Sequence, residues 1–579
     1  MRANWVRRHW MSTFVQEAPR HENAFTSDPF LARSLKRLLP QEILASIEPD
    51  LVRFGDRVRR DVWQLGQQCG KEEPRLEFTS AWGQNGVKLV TSDAWKKQKE
   101  IAAEEGLVAI GYEKDYGAFS RIYQATKLLL YSPASGLYSC PLAMTDGAAQ
   151  TLLNCDQNEE GVKEALKRLT TRKKEDFWTS GQWMTEKRGG SDVSKATETV
   201  AERDKGGFYK LSGYKWFSSA TDCDMSLALA RTPEGLSLFL VNLAQNRRNI
   251  DIVKLKNKLG TRQLPTAELS LHNVEALLVS EPGRGVATIA SMLTITRLHN
   301  VISSVSIQRK VVQLARDYSQ RRMSFGRRIG QHPLHLRTLA QMEVEVRGQT
   351  ALVLDLARQQ GLQDAQEMEA NDGSLLRLMM PVAKMFTAKK AVANTSEGIE
   401  CFGGQGYIED TPIPAFLRDA QVLPIWEGTT NIMSLDVLRA LSKSKGNAMR
   451  SFKHKVQISL QNASRSSEPA ITAAAQAVKA ALLALLDFVS QNQLEPSVME
   501  VSARDFSTSL ANIYIGALLI DQALGSQHRL DASVARQWAT TRDMCPVDSL
   551  QKSNSYRQQR DLPDLVFENY NESDAIEPE

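Results

Sequence analysis

Spacings that hold metals or disulfides are missing from this 579-residue sequence. The six cysteines are scattered with no CxxC pair, and the eight histidines form neither an HExxH motif nor a His/Cys cluster. Isolated cysteines are typical of free thiols in a reducing compartment, and zinc sites need closely spaced ligands. We therefore predict no metal site.

A membrane anchor and a strong charge excess are also lacking. The longest apolar run, around residues 473–486, is shorter than the roughly 18 residues of a membrane span and predicts a buried helix. The net charge of +5 is small for this length and does not favour a nucleic-acid or membrane partner. Hydrophobic content of 42% and charged content of 24% are those of an ordinary globular protein. The length predicts several domains.

Two further signals are absent, and one is present at the N-terminus. GxGxxG does not occur, and Gly283-Arg284-Gly285 does not follow a strand of a βαβ unit, so no Rossmann domain is predicted. The C-terminal AIEPE is not a peroxisomal signal. The N-terminal MRANWVRRHWMSTFVQEAPR has arginines and bulky apolar residues but no acid before Glu17. This composition fits a mitochondrial presequence, and a basic tail on a cytoplasmic protein is the alternative.

The spacing of apolar residues changes along the chain and predicts an α+β fold. Helical spacing dominates the first part, period-two alternation follows, and long amphipathic helices come after it. Short strands at this spacing favour a small barrel, and helices near 287–319, 334–360, 375–400 and after Ile432 favour a four-helix bundle. The predicted segments are a basic N-terminal tail or targeting segment (1–23), an N-terminal helical domain (24–177), a middle β-barrel domain (178–285), a C-terminal four-helix bundle (286–442), a helical extension (443–559) and an acidic disordered tail (560–579).

The segment 423–432, LPIWEGTTNI, contains the first candidate catalytic residue. Glu427 follows two large apolar side chains and precedes a helical pattern, for which Thr429 or Thr430 is a suitable N-cap. Apolar surroundings raise the pKa of a carboxyl group, which suits a general base working near neutral pH. Read alone, the segment is also compatible with an acidic residue in a loop before a helix.

Four other segments combine glycine, hydroxyl, aromatic or arginine residues. They are 184–192 (MTEKRGGSD), 213–219 (GYKWFSS), 321–328 (RRMSFGRR) and 401–407 (CFGGQGY). Backbone N–H groups of the first and the arginines of the third suit an anion, and an aromatic ring of the second suits a planar cofactor. Each segment also has a simpler structural explanation: an ordinary turn for 184–192, core packing for 213–219, a solvated basic loop for 321–328 and a glycine helix cap for 401–407.

In this order, the segments resemble the acyl-CoA dehydrogenase family. From about Asn23 to Lys443 the chain carries a helical domain, TExxxGSD, KWFSS, LGTR, RxSFG, FGGxGY and WEGT. Cys140-Pro141, Trp216-Phe217, the WEG motif with Asn431 and the long extension are most similar to the AidB-like branch. The resemblance implies an FAD-dependent homotetramer, a dimer of dimers, that acts on acyl-CoA. Its electrons would pass to an electron-transfer flavoprotein or another acceptor.

The same resemblance implies a role for individual residues. Glu427 would take the substrate α-proton, and Ser191, Thr296 and Arg297 would contact the substrate. Thr185 and Ser191 would bond the flavin ring, and Phe217 would pack on it. Arg322, Ser324 and Phe325 would reach FAD in a neighbouring subunit. The implied FAD-contacting positions are Gln182, Trp183, Met184, Thr185, Gly190, Ser191, Phe217, Ser218, Ser219, Arg322, Ser324, Phe325, Glu400, Gly403, Gly404, Thr429 and Asn431.

Three positions depart from the family pattern. Glu400 stands where glutamine is usual before FGG, Asn431 is one methylene shorter than the usual glutamine, and His332-Pro333 replaces an HQ pair. These changes recur in the AidB-like branch, so loss of FAD binding does not follow from them. They weaken the case for ordinary fast β-oxidation.

Several functions therefore remain open. The leading hypothesis is α,β-dehydrogenation of a medium- or long-chain acyl-CoA. The altered FAD contacts allow a low-turnover flavoprotein that binds or sequesters acyl-CoA and regulates lipid metabolism. The basic stretch 443–465 allows an AidB-like nucleic-acid-associated flavoprotein, although a solvated helix face explains it more simply. An acyl-CoA oxidase shares the carboxylate and FAD, but the peroxisomal signal is missing.

Overall fold

The computed structural model describes residues 14–78, 80–82, 86–369, 372–557 and 562–568. By their contacts the residues divide into two compact units. The first covers the chain to Glu369 and again Ala383–Thr429, and the second covers Ala370–Val382 and Thr430–Glu579. The predicted targeting segment lies largely in residues 1–13, which are outside the described residues.

The N-terminal part of the first unit is mainly helical, as predicted. Asp28 begins the first helix because its side chain accepts the Leu31 N–H and Pro29 occupies the first turn. The helices are α1 (Pro29–Leu38), α2 (Gln41–Arg57), α3 (Trp63–Lys71), α4 (Asp93–Glu104), α5 (Ile110–Glu113), α6 (Ser120–Tyr131), α7 (Ser139–Leu153) and α8 (Glu160–Leu169), with a π turn at Val58–Val62 and 3-10 turns at Gly117–Phe119 and Ser132–Ala134.

One part of this region corrects the sequence prediction. Strands β1 (Arg75–Phe78) and β2 (Val87–Val90) pair antiparallel within the segment expected to be helical. RLEF alternates polar and apolar residues, but VKLV ends in two apolar residues, so neither segment is long enough to establish a period of two. These segments are too short to stand out against the helices around them.

The middle region is a closed sheet. Its strands are β3 (Ser180–Trp183), β4 (Val200–Arg203), β5 (Tyr209–Ser219), β6 (Met225–Thr232), β7 (Gly235–Asn242), β8 (Ile250–Leu255) and β9 (Thr266–Leu278), with short helices α9 (Val193–Ala196) and α10 (Leu243–Asn246) between them. Pairing runs β6-β4-β5-β9-β7 and returns from β7 to β6, while β3 joins β6 and β8 joins β9. Trp183, Leu211, Phe239 and Leu269 fill the interior. Strands β3 and β4 were not predicted, because each is only four residues long.

Long helices return after the barrel. After the short α11 (Gly285–Thr288) come α12 (Ala290–Arg321), the two-residue strands β10 (Met323–Ser324) and β11 (Arg327–Arg328), α13 (Pro333–Asp364), α14 (Asp372–Glu400) and α15 (Ile413–Ala420), with 3-10 turns at Ile329–Gln331 and Gly403–Tyr407. The α+β class with helical domains on both sides of the barrel is confirmed. Helix α14 contains Pro381 in its interior. This proline is next to the boundary between Val382, which belongs to the second unit, and Ala383, which belongs to the first.

The second unit contains α16 (Thr430–Lys443), α17 (Asn447–Ala463), α18 (Pro469–Asn492), α19 (Pro496–Ser526), α20 (Arg529–Thr540), α21 (Pro546–Lys552) and α22 (Leu562–Phe567). Helix α16, predicted as the fourth bundle helix, groups here with the extension and packs against α19. The short α22, which has no buried residue, lies in the tail that was predicted to be disordered. The rest of that tail, 560–561 and 569–579, is outside the described residues.

Helix α18 is longer than the apolar run in the sequence indicated. It has 24 residues and a mean hydropathy of 1.6 over its most apolar window, so by length and composition alone it could cross a membrane. Its buried residues, which include Ile471, Val478, Leu485 and Phe488, recur at helical spacing. This face packs against α19 and α20 within the second unit.

Candidate active site

Glu427 lies in a strained turn between α15 and α16. Its φ is 57° and that of Gly428 is 107°, so two successive residues occupy the left-handed half of the backbone map. Such a conformation is costly for a residue with a side chain and persists only where surrounding contacts enforce it. The turn therefore identifies Glu427 as a candidate functional residue independently of any motif.

The side chain of Glu427 faces α12. Thr296 Oγ1 donates a hydrogen bond to Glu427 Oε2 at 2.6 Å. Burial raises the pKa of Glu427, whereas the Thr296 bond and the charges of Arg297 and Lys384 oppose the increase. The result is a carboxyl group whose pKa is shifted towards neutrality, as a general base requires.

A buried polar network holds α12 at the level of Thr296. Asp146 of α7 accepts hydrogen bonds from Arg121 at 2.9 Å and from Gln124 Nε2 at 2.9 Å, and its Oδ2 lies 2.8 Å from His299 Nε2. His299 is three residues after Thr296, so the two lie on neighbouring positions of one helix face. The network thereby fixes the rotation of α12 that turns Thr296 towards Glu427.

Two residues that the sequence analysis missed hold the Glu427 turn. Asn300 Nδ2 donates to the Leu423 carbonyl at 3.2 Å. Lys384, which is fully buried in α14, donates from Nζ to the Gly428 carbonyl at 2.5 Å. A signal for Lys384 exists in the sequence, because it is the one charge in the apolar run LMMPVAKMF.

A loop of the barrel is fixed just upstream of the turn. Thr261 of the LGTR motif has a φ of 53°, and its N–H donates to Asp419 Oδ1 of α15 at 2.6 Å. Gly260 approaches the α15 backbone so closely that a Cβ would lie 2.2 Å from the Arg418 carbonyl oxygen. The LGTR motif thus connects the barrel to the segment that carries Glu427.

A β-bulge on β5 turns Phe217 out of the barrel. Pairing with β9 shifts between Lys215 and Ser218, where one extra residue of β5 is accommodated. The shift reverses the alternation of side chains, so Phe217 points outward with 53% of its surface exposed and Ser218 is buried. An aromatic ring exposed at a strand end is the arrangement that a planar cofactor needs.

The TEKRGGSD loop is fixed beside this strand end. Glu186 and Lys215 are both buried and form an ion pair at 2.5 Å, and Glu186 also accepts from the Thr199 hydroxyl at 2.6 Å. The Trp216 N–H donates to the Thr185 carbonyl at 2.9 Å. These bonds place Thr185 next to the bulge that exposes Phe217.

Ser219 and Lys258 meet at Thr266 beside the same strand end. Ser219 Oγ and Lys258 Nζ both lie 3.0 Å from Thr266 Oγ1. Burial raises the pKa of the Cys140 thiol to about 12, and the charges of Lys258 and Glu427 also act on it.

Two of the predicted cofactor contacts are buried in the structure. Trp183 packs in the interior of the barrel and Ser218 is fully buried. Trp183 Nε1 and Ser218 Oγ have no hydrogen-bond partner among the described residues. Gln182 and Met184 lie on the opposite face of β3, and the Oε1 of Gln182 is buried without a hydrogen-bond partner in the described part of the chain.

The remaining predicted positions lie at the surface. Gly403, with a φ of 59°, and Gly404 have open space where a Cβ would stand, and Glu400, Gly190, Ser191 and Thr429 are exposed. The described contacts do not bring Ser191 to Thr296. Within the second unit, Asn431 Oδ1 accepts a hydrogen bond from Arg504 Nε of α19 at 2.5 Å.

The RxSFG motif forms the small hairpin of β10 and β11. Phe325 and Gly326 at its tip have φ values of 50° and 76°, which is the geometry of a type I′ turn. Phe325 is 93% exposed. Arg321 forms ion pairs with Asp317 at 2.7 Å and Glu17 at 2.8 Å, while Arg322 donates to Gln16 at 3.2 Å.

Comparison with protein families assigns the chain segment by segment. Residues 16–176 match the N-terminal domain of adaptive response protein AidB, and 181–274 match the acyl-CoA dehydrogenase middle domain. Residues 283–442 match the acyl-CoA dehydrogenase C-terminal domain, and 447–567 match the acyl-CoA dehydrogenase 11 C-terminal domain-like family.

Whole-chain comparisons agree with these matches. Acyl-CoA dehydrogenase family member 11 of Caenorhabditis elegans is 45% identical over 546 residues, covering 90% of this chain and 87% of that protein. The crystal structure of Caenorhabditis elegans ACDH-11 in complex with C11-CoA superposes with a TM-score of 0.90 at 42% identity and covers 97% of this chain and 98% of that one. The putative acyl-CoA dehydrogenase AidB of Escherichia coli is 30% identical over 460 residues, covering 76% of this chain and 82% of that protein. The chain belongs to the acyl-CoA dehydrogenase family of flavoprotein oxidoreductases, in its AidB-like branch, and carries that branch's long helical extension.

Proposed function

We propose that the chain is an FAD-dependent dehydrogenase that introduces an α,β double bond into a medium- or long-chain acyl-CoA. The observation that carries this proposal is the Glu427 carboxyl, whose pKa is raised by burial and which Thr296 holds in a left-handed turn. Family membership supports the reaction class. The crystal structure of the Caenorhabditis elegans relative with C11-CoA supports an acyl chain of medium length.

The residues present fit FAD. The exposed ring of Phe217 offers a face for the flavin, and Thr185 and Ser219 lie next to it. Gln182 Oε1 is buried and has no hydrogen-bond partner among the described residues, and the open space at Gly404 admits a ligand close to the backbone. In this proposal Thr185, Ser191, Phe217 and Ser219 hold the flavin ring. Gly403, Gly404 and Thr429 contact the rest of the cofactor.

Glu427 acts on the substrate α-proton. The C–H bond beside a thioester is weakly acidic, so its cleavage needs an ionised carboxylate at the correct position. Thr296 restrains Oε2, while Oε1 accepts no hydrogen bond from the described residues and is left for the proton. The α-proton goes to Glu427, and the electron pair of that C–H bond forms the double bond as the β-hydrogen leaves. FAD, when bound, supplies the acceptor that takes the β-hydrogen as hydride.

The test is reduction of the bound flavin by acyl-CoA under anaerobic conditions. In Glu427→Gln the reduction rate should fall by at least about 100-fold because the amide cannot take the proton. The FAD content should stay unchanged. Glu409→Gln removes an exposed carboxylate of the same unit and serves as the matched control, with a rate equal to that of the unmodified protein. An unchanged rate in Glu427→Gln would refute the assignment.

The same measurement on the unmodified protein distinguishes the sequestering function from the dehydrogenase. Tight binding of acyl-CoA with no bleaching of the flavin would establish it in place of the dehydrogenase. The basic stretch gives little support to nucleic-acid binding, because in α17 Phe452 and Val456 are buried and Lys455 lies 3.5 Å from Asp521. Its lysines thus belong to the solvated face of a packed helix.

Three further parts of the proposal rest on the sequence. We propose an electron-transfer flavoprotein or another acceptor as the oxidant of the reduced protein, and a homotetramer as the assembly. The 93% exposure of Phe325 at a rigid hairpin tip supports a subunit contact there. We propose a mitochondrial location from the N-terminal composition, to be tested by imaging the full-length chain against a chain that begins at Asn23.

A further inference from the structure

Lys384 lies directly behind the turn that presents Glu427. It is fully buried in the first unit, and its Nζ donates to the Gly428 carbonyl at 2.5 Å. A buried ammonium group is costly unless it is hydrogen-bonded. In the described residues it has no carboxylate within ion-pair distance, so its bonding is directed to the backbone of the turn.

The charge of Lys384 also acts on the base. Burial lowers the pKa of Lys384 to about 7, although the charge of Glu427 favours the ammonium form and that of Arg297 opposes it. Thr296 of α12 bonds to Glu427, and the groups that interact with it electrostatically are Arg297 from α12, Lys384 from α14 and Cys140 from α7. Of these, Arg297 and Lys384 carry the positive charge that stabilises the carboxylate.

We propose that Lys384 is a positioning residue that holds the Glu427–Gly428 turn through the Gly428 carbonyl and places a positive charge behind the base. The proposal rests on the function proposed above for Glu427. It gives Lys384 two separable effects, one through its donor and one through its charge.

The donor acts on geometry. Glu427 and Gly428 have φ values of 57° and 107°, and such a turn relaxes unless a contact restrains it. A bond to the Gly428 carbonyl fixes the Gly428–Thr429 peptide plane and so restrains the turn that carries the Glu427 side chain. Because proton transfer requires close approach, a small rotation of this plane lowers the rate.

The charge acts on the pKa of Glu427. A cation beside a carboxyl group favours the ionised form and lowers its pKa. Loss of the cation raises the pKa of Glu427, so the carboxylate forms only at higher pH. The rise of the flavin-reduction rate with pH then moves to higher pH.

Two substitutions separate these effects. Lys384→Met removes both donor and charge at similar length, whereas Lys384→Gln removes the charge and keeps an N–H donor. Lys389→Met removes an exposed lysine from the same helix and is the control. The readouts are anaerobic flavin reduction against pH at saturating acyl-CoA and an infrared titration of the Glu427 carboxyl, identified by its loss in Glu427→Gln.

We expect Lys384→Met to lower the high-pH plateau of the rate by at least about 10-fold through lost positioning. Both its rate profile and its carboxyl titration should move upward by about half a pH unit or more. Lys384→Gln should show the same upward shift of the rate profile and of the carboxyl titration. It should recover most of the high-pH plateau of the rate. Lys389→Met should change neither quantity.

The proposal is overturned if both Lys384 variants, with normal FAD content, keep the plateau and the carboxyl midpoint of the unmodified protein. If Lys384→Met does not fold, Lys384→Gln decides alone, because an unshifted midpoint there removes the charge effect. Failure of the proposed function has a different signature, in which Glu427→Gln reduces flavin at full rate. Loss of activity in Glu427→Gln with unchanged Lys384 variants refutes only the role of Lys384.

Discussion

Thr296 Oγ1 donates to Glu427 Oε2 at 2.6 Å, so a residue expected to contact the substrate also holds the proposed catalytic carboxylate. The bond joins α12 to a turn 131 residues later in the chain. Because it stabilises the ionised form, it opposes the increase in pKa that burial causes. Thr296 therefore influences both the direction and the pKa of Glu427.

Thr296→Val should move the pH profile of flavin reduction to higher pH. The substitution keeps the shape and removes the donor, and a hydrogen bond to a charged group is worth about 1.5 kcal/mol, or about one pKa unit. The pKa of Glu427 rises, so its ionised form appears at higher pH. Thr296→Ser should restore the original profile.

Thr294→Val is the matched control for this prediction. Among the described residues, the Thr294 hydroxyl bonds only to the Ala290 carbonyl of its own helix, so its removal should leave the profile unchanged. An identical profile in Thr296→Val would show that the bond does not influence the base.

Phe217→Ala should weaken binding of FAD. An exposed aromatic ring that packs on the flavin contributes about 1 kcal/mol, which corresponds to a loss of affinity of about fivefold to tenfold. The measurement is a fluorescence titration of the apoprotein with FAD. Phe208→Ala removes another exposed phenylalanine of the barrel region and should leave the affinity unchanged. Equal affinities in the two variants would place the flavin elsewhere.

Asp146→Asn should destabilise the first unit. Asp146 is fully buried, and its carboxylate is the common acceptor of Arg121, Gln124 and His299. The substitution removes one of the two carboxylates that pair with the buried Arg121 and leaves Asp364 at 2.5 Å, so we expect a loss of about 1–3 kcal/mol. Denaturant unfolding at neutral pH measures the change in free energy. Glu100→Gln, which breaks the exposed pair with Lys97, should cause no measurable change.

Acid should destabilise the first unit partly through Glu105. Burial alone would raise the pKa of Glu105, but hydrogen bonds from Arg53 and Arg57 and the charge of Lys127 lower it from 4.5 to about 2. A lowered pKa in the folded state means that this stabilisation is complete above about pH 4.5 and disappears as the pH falls towards 2.

Glu105→Gln should therefore flatten the dependence of the unfolding free energy on pH between about 5 and 2. Unfolding with urea at a series of pH values measures this slope. Glu104→Gln is a neighbouring control, since Glu104 is paired mainly with Arg57 and is more exposed. A slope equal to that of the unmodified protein would show that other carboxylates dominate the acid transition.

Periodicity predicted most of the fold. The helices α12, α13 and α14 are long enough for their apolar spacing to be read from local sequence, and their predicted bounds differ from the observed ones by only a few residues. Strands β3 and β4 are four residues long, and so are β1 and β2, which leaves too few residues to show a period. These short strands are stabilised by their neighbours, which local sequence does not contain.

The candidate site was predictable in its residues but not in its contacts. The motifs identify Glu427, Thr185 and Phe217, yet nothing in KWFSS reveals that a bulge turns Phe217 outward and Ser218 inward. The direction of a side chain near a bulge depends on the register with the partner strand. For this reason local sequence does not show that Ser218 is buried.

The amino-acid sequence by itself determined the fold class, the family and the position of the proposed catalytic carboxylate, because these follow from local patterns and from motifs in a fixed order. The tertiary structure decided what holds that carboxylate. Lys384, Asn300 and Thr296 are far from Glu427 in sequence and meet its turn only because α12 and α14 pack beside it. The tertiary structure also sets the direction of the pKa shift of Glu427, since burial and neighbouring charges exist only in the folded chain.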